Sequence, residues 1–213
     1  MTDKTKIALS NKELELVCNT DWILTKHHII KKVVEVLGEL LVPMQHLTGI
    51  NKFYLPTEIF DREPKISKGE NYQLLPYVIL DYPRYFGLKN TIAIRTMFWW
   101  GNFFSVSLQV AGDQKDKITI TLLDNFTQLQ QNNYWVCVNE SPWQYCFAEN
   151  NFVMLSTISK ETFAMLLNNK PFIKISKKIS LQHWDTVTLF VEQTFIEMIN
   201  FLKISYLNDE KDL

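Results

Sequence analysis

The sequence predicts an α+β fold: an antiparallel sheet built around a β-hairpin at 91–111, packed by a long N-terminal helix and a long C-terminal helix. Three observations carry this. Residues 91–111 hold two runs rich in β-branched and aromatic side chains, separated by Gly101-Asn102, a dipeptide suited to a tight primed turn. Residues 25–47 and 183–206 space their apolar residues by three and four, as amphipathic helices do. A two-residue connection joins only antiparallel neighbours, which argues against a wound parallel sheet.

The elements follow in order. Ser10 with Glu13 is a capping-box pattern that starts a short helix through Val17, and Asn19, Thr20 and Asp21 punctuate it. From Thr25 to about Leu47, Ile30, Val33, Val34, Leu37, Leu40, Leu41 and Met44 form one stripe. Pro43 is expected to kink or end that helix, with Gly49 closing the segment. Residues 50–76, with Pro56, Pro64 and Pro76 around Lys68-Gly69-Glu70-Asn71, read as a long irregular connection of the kind that often carries function. Tyr77 to Tyr82 then reads as a buried strand ended by Pro83.

A two-residue loop at Gly101-Asn102 fixes the hairpin register: Trp100 opposite Phe103, Trp99 opposite Phe104, Met97 opposite Val106, Arg95 opposite Leu108 and Ala93 opposite Val110. One face then carries Ala93, Met97, Trp99, Phe104, Val106, Leu108 and Val110 together with Arg95, and reads as core. The other carries Ile92, Ile94, Phe98, Trp100 and Phe103 beside Thr96, Ser105, Ser107 and Gln109, and reads as the wetter face.

Beyond Gly112, residues 117–131 are read as helix, although ITITL has strand character. Residues 134–139 read as a strand, followed by an irregular stretch to Asn151. Ser159 caps a short helix to Leu167, and Phe172 to Ile175 is expected as a short edge strand. The whole is expected as one domain over 1–213, with flexible ends at about 1–9 and 208–213.

Composition narrows the function classes more than it names one. A chain of 213 residues with 46% hydrophobic and 13% aromatic content can bury a large core. Its formal charge of −1 provides no bulk field for nucleic acid or an anionic surface. The three cysteines, Cys18, Cys137 and Cys146, are odd in number and lack a C-x-x-C spacing, so neither a disulfide framework nor a zinc site is expected. MTDKTKIALS has no apolar signal core, and the later apolar stretches are broken before spanning length, which places the chain in the cytoplasm without a membrane partner. His27, His28, His46 and His183 lack metal-ligand spacing, and no phosphate-cradling or nucleophile-elbow motif occurs. No metal and no cofactor is expected.

One constellation stands out. The chain holds only three arginines, Arg62, Arg84 and Arg95, all within 62–95, against lysine everywhere else, and Tyr72, Tyr77, Tyr82 and Tyr85 lie among them. A guanidinium offers a planar fork that grips carboxylate or phosphate and stacks on rings. The functional expectation is a binding or interaction module that holds an anionic or planar ligand, or a protein partner, through Arg84, Arg95, Lys68, Tyr82, Asp81 and Trp100. The structural alternative pairs Arg95 with Asp81 or Glu70 as a buried ion pair that specifies the sheet. A third reading is a small hydrolase- or transferase-like enzyme with Asp81 as base, Arg84 and Arg95 stabilising charge, and His183 brought in from the last helix. Nucleic acid is disfavoured, because Glu63, Glu70 and Asp81 offset much of the basic charge between 62 and 95.

Overall fold

The computed structural model describes residues 7–207. The expected flexible ends therefore fall largely outside the described residues. Helices α1 (Asn11–Cys18) and α2 (Thr20–Ile50) come first, then strands β1 (Lys65–Tyr72), β2 (Leu75–Phe86), β3 (Thr91–Trp99) and β4 (Phe103–Ala111). Helices α3 (Gln114–Asp124) and α4 (Phe126–Gln131), strands β5 (Trp135–Cys137) and β6 (Phe152–Met154), helix α5 (Lys160–Asn169), strand β7 (Phe172–Ser180) and helix α6 (Val187–Leu207) follow among the described residues. The strands form one sheet in the order β1-β2-β3-β4-β7-β5-β6, with every neighbouring pair antiparallel. The α+β class, the central hairpin and the two long flanking helices are as the sequence implies.

Ser10 closes a full capping box on α1, and Ser159 caps α5 through the Thr162 amide. Pro43 does not end α2, which runs on to Ile50. An interior proline costs a helix about 3 kcal/mol. Leu40 and Met44 on either side of it are buried, each worth about 1.5–3 kcal/mol, so packing holds the last turns against the sheet and α6. By length and composition α2 alone among the described helices is long and apolar enough to cross a membrane, yet its stripe of Ile30, Val33, Leu37, Leu40 and Met44 is spent on the protein's own core.

The irregular connection expected at 50–76 needs correction. Two short 3-10 turns, Lys52–Tyr54 and Thr57–Phe60, lead into β1, which hairpins onto β2 through Gln73 and Leu74, both at positive φ. Polar β1 is an edge strand, and edge strands carry charge rather than apolar alternation. Its turn also lacks the glycine that advertises a primed turn. Nor does Pro83 end β2: the strand passes through a cis Tyr82–Pro83 bond, with a register break between Asp81 and Arg84 that accommodates the missing amide donor. Strand β7 is longer than expected and lies inside the sheet between β4 and β5, not at its edge.

The largest correction concerns the central hairpin. Trp99 pairs with Phe103, Phe98 with Phe104, Met97 with Ser105 and Arg95 with Ser107. The loop is Trp100-Gly101-Asn102, closed by the Asn102 amide on the Trp99 carbonyl oxygen, with Gly101 at φ +71. Glycine supplies the positive φ at the third position of the Trp99–Asn102 turn, one position later than in a two-residue Gly-Asn primed turn. That single step exchanges the two faces of β4. Ile92, Ile94, Thr96 and Phe98 share a face with Phe104, Val106, Leu108 and Val110 and form the core beneath α2, α3 and α6. Arg95, Met97 and Trp99 share the opposite face with Phe103, Ser105, Ser107 and Gln109.

Gly112, after β4, sits at φ +78, and a Cβ there would stand 2.5 Å from the Lys89 carbonyl oxygen and closer still to Asn90. Gly112→Ala is expected to destabilise the fold by about 2 kcal/mol, from the disfavoured φ and the backbone contact together, read as a lowered urea midpoint.

Candidate functional site

The second face of the sheet carries charge in ordered rows. Register places Asp81, Arg95, Ser107, Ser176 and Trp135 across one row, and Arg84, Ala93, Gln109 and Lys174 across the next. The irregular stretch 138–151 lies over these rows and supplies Tyr145, Trp143 and Phe147. Arg95 Nε donates to Asp81 Oδ1 at 2.6 Å, Nη2 to Asp81 Oδ2 at 2.8 Å and Nη1 to the Tyr145 hydroxyl at 2.8 Å. Every nitrogen of the guanidinium thus has a partner inside the protein, and both Asp81 oxygens are occupied. Burial lowers the Arg95 pKa, but the Asp81 hydrogen bonds and the electrostatic pull of Tyr145 and Asp81 together more than restore it, leaving the group above its ordinary value. Burial also pushes the Tyr145 hydroxyl up to about 12, against the pull of the Arg95 charge.

Lys174 is the second cation of this layer, and sequence reasoning missed it. Its side chain is 1% exposed. Its Nζ donates to the carbonyl oxygens of Pro142 at 2.8 Å and Gln144 at 2.5 Å and lies 3.6 Å from the centre of the Tyr145 ring. Burial pushes this ammonium down to about 7, although both carbonyl oxygens and the ring face favour its charged form. The Tyr72 hydroxyl accepts from the amides of Tyr145 and Cys146, and the Ser176 hydroxyl donates to Ser107 at 2.7 Å. Arginine, lysine and tyrosine therefore fasten an irregular segment onto a sheet face. No apolar pattern in 138–151 announces that role. The signal lay in the hairpin register, since the observed pairing sets Ser107 beside Arg95 and points to a polar layer.

The six residues expected to form one ligand site are dispersed. Asp81 and Arg95 are joined as the structural alternative proposed; Glu70 instead pairs with Lys26. Arg84 is half-buried, its Nε donating to the Glu63 carbonyl oxygen at 2.7 Å. Tyr82 is buried on the other face, hydrogen-bonded to Thr48 and stacked on Phe195. Lys68 is exposed on the edge strand. Trp100 is half-buried at the hairpin tip. His183 is exposed in the 3-10 turn before α6 and is not among the hydrogen-bond or ion-pair partners of Asp81. Cys137 is buried, and burial raises its thiol pKa despite the nearby Lys174 charge, as befits a packing residue rather than a nucleophile.

An open hollow lies at the hairpin tip. Ile29, Phe98, Trp100, Gly101, Leu181 and Trp184 line about 290 Å³ between the turn, α2 and the 3-10 segment before α6. Trp22 meets Trp100 edge to face at 6.2 Å, Phe98 does so from the sheet at 6.2 Å, and Trp184 packs on Phe104 at 5.7 Å. Gly101 leaves the mouth open, since nothing stands within 4 Å of where its Cβ would be. The indole walls are thus held by ring contacts and face a space the size of one ring system. Compared with protein-family models, with curated proteins and with solved structures, the chain matches none.

Proposed function

We propose that this protein is a binding module that receives a planar, largely apolar group in the hollow at the hairpin tip, either a ring of a small ligand or an aromatic side chain of a protein partner. The observation that carries the reading is the pair of tryptophan walls, Trp100 and Trp184, around a space with almost no polar lining. Stacking surfaces of this kind select flat groups through ring geometry and burial. Of the anionic or planar ligand expected from the arginine cluster, the planar half is retained. Arg95 spends its donors on Asp81 and Tyr145, which withdraws the fork an anion would need. The cytoplasm remains the proposed compartment, supported by the three cysteines, all free.

Fluorine NMR of protein labelled with 5-fluorotryptophan tests this, with indole as the probe. The signals of Trp100 and Trp184 are expected to move together in a saturable way, with a Kd on the order of 1 mM, as a few tenths of a kcal/mol per heavy atom implies. Trp184→Leu should weaken the response at Trp100 about ten-fold. Saturable movement at Trp143, which lies beside Arg95, with Trp100 unmoved would overturn the assignment.

A further inference from the structure

A second open hollow, of about 310 Å³, lies between residues 138–140 of the covering segment and helix α5. Phe163 and Leu167 bury one stripe of α5, and the neighbouring stripe of Thr162, Met165, Leu166 and Asn169 lines the hollow. Lys170, the C-cap, leaves the helix with extended backbone and carries an ammonium to the same place. Its side chain is only 9% exposed. Nζ donates to the Asn139 carbonyl oxygen at 3.1 Å and to Glu140 Oε1 at 2.7 Å. An ammonium has three hydrogens, and among the described residues two acceptors meet it.

The two acceptors differ in kind. The Asn139 oxygen belongs to the main chain, whereas the Glu140 side chain is 89% exposed and reaches Lys170 with a single oxygen, as a carboxylate arriving from solvent would. An ion pair with one partner so exposed is weak, because water and salt compete for it and the free side chain gains entropy by leaving. Arg95 is a contrast: its counter-ion Asp81 is buried and delivers both oxygens. So is Lys174, whose two acceptors are main-chain carbonyl oxygens. Lys170 is therefore the buried cation of this part of the fold whose charged partner can be exchanged, and Glu140 shows the chemistry that it takes.

We propose that this hollow is a second binding site, for a small aliphatic carboxylate that displaces Glu140 from Lys170. The ligand's charged end takes the Lys170 ammonium, with the Thr162 hydroxyl and the Asn169 amide as neutral donors in the same lining. Its chain lies against Val138, Met165 and Leu166. The volume stands at the small end of ligand sites, which suits a small molecule rather than a macromolecular face. This proposal is independent of the hollow at Trp100.

Methyl NMR of the full chain labelled with 13C-methyl methionine reads the outcome at Met165, its signal identified by its loss in Met165→Leu. The probes are 4-methylpentanoate and its uncharged counterpart 4-methylpentanamide. The acid is expected to move the Met165 signal in a saturable way, with a Kd on the order of 5 mM, and the amide to bind at least about ten-fold more weakly. Glu140→Gln removes the competing carboxylate at an exposed position, so it should tighten the acid roughly three- to five-fold and leave the amide unchanged. Lys170→Met should reduce the acid to the level of the amide; if that variant does not fold, the acid-to-amide ratio and Glu140→Gln decide the matter. Trp184→Leu should leave the acid's affinity unaltered, which separates this site from the one at the hairpin tip. A Met165 signal that the acid does not move, equal binding of acid and amide, or a Glu140→Gln variant that binds the acid no tighter than the wild type would each overturn the proposal, the last by showing that the pair only ties residues 139–140 to α5.

Discussion

Asp81→Asn is expected to destabilise the protein by about 3–5 kcal/mol, the usual cost of removing one partner from a buried ion pair. The reasoning rests on what Arg95 is left with. Its Nε and Nη2 now donate to the two Asp81 oxygens at 2.6 and 2.8 Å, while only Nη1 has an independent partner in Tyr145. An asparagine in that place offers one acceptor and no charge, so a guanidinium remains in a half-sealed layer without its counter-ion. With a urea m-value of ~2 kcal/mol/M the midpoint should fall by roughly 1.5–2.5 M. Asp81→Leu together with Arg95→Met should recover most of the loss, since apolar groups of similar volume remove both charges at once. A single substitution without effect on the midpoint would mean that the pair contributes nothing to the sheet.

Lys174→Met is expected to cost about 2–4 kcal/mol at pH 9 and about 3 kcal/mol less at pH 6, roughly 1.4 kcal/mol for each pH unit between 7 and 9. At either pH the substitution orphans the carbonyl oxygens of Pro142 and Gln144, each at about 1–2 kcal/mol. The pH dependence comes from the lysine itself. Its ordinary pKa of 10.5 falls to about 7 in the fold, so between these values the unfolded chain holds a proton that the folded chain has released. Stability therefore rises with pH from about 7 upward, at up to about 1.4 kcal/mol per pH unit, and below 7 the fold bears the full cost of a buried ammonium. The window is best read below pH 9, because Cys137 and Tyr145, both raised, begin to work in the opposite direction above it. The wild type should gain on Lys174→Met across that interval. A difference that stays constant from pH 6 to 9 would show that the two carbonyl oxygens and the Tyr145 ring keep the ammonium charged.

How far the fold could be read from the residues depended on whether local pattern or long-range packing decided each element. The capping box at Ser10, the cap at Ser159 and the stripes of α2 and α6 are local chemistry, and they stand where the pattern puts them. Strand β1 was hidden because KISKGENY is an edge strand with charged residues, and the length and interior place of β7, expected only as a short edge strand at 172–175, were hidden because Lys174 looks like a surface residue until a covering segment provides carbonyl oxygens for it. In the hairpin both strands were legible, yet one residue of loop length inverted β4, since side-chain facing has a period of two. The candidate site shared that fate. Asp81 and Arg95 do meet, and Trp100 does border an open hollow, but Tyr82 faces the opposite core and Trp184 comes from sequence more than eighty residues away.

The Arg95 guanidinium is spent inside the protein, on Asp81 and Tyr145, which is what leaves the hairpin tip as the proposed place for a planar ligand. Phenylglyoxal modification of the native protein, followed by peptide mass analysis, tests it on all three arginines at once. Arg62 is exposed and should react rapidly, Arg84 is half-buried and should react more slowly, and Arg95 should stay unmodified until the protein unfolds or Asp81→Asn frees it. Modification of Arg95 at the rate of Arg62 in the folded wild type would contradict the account.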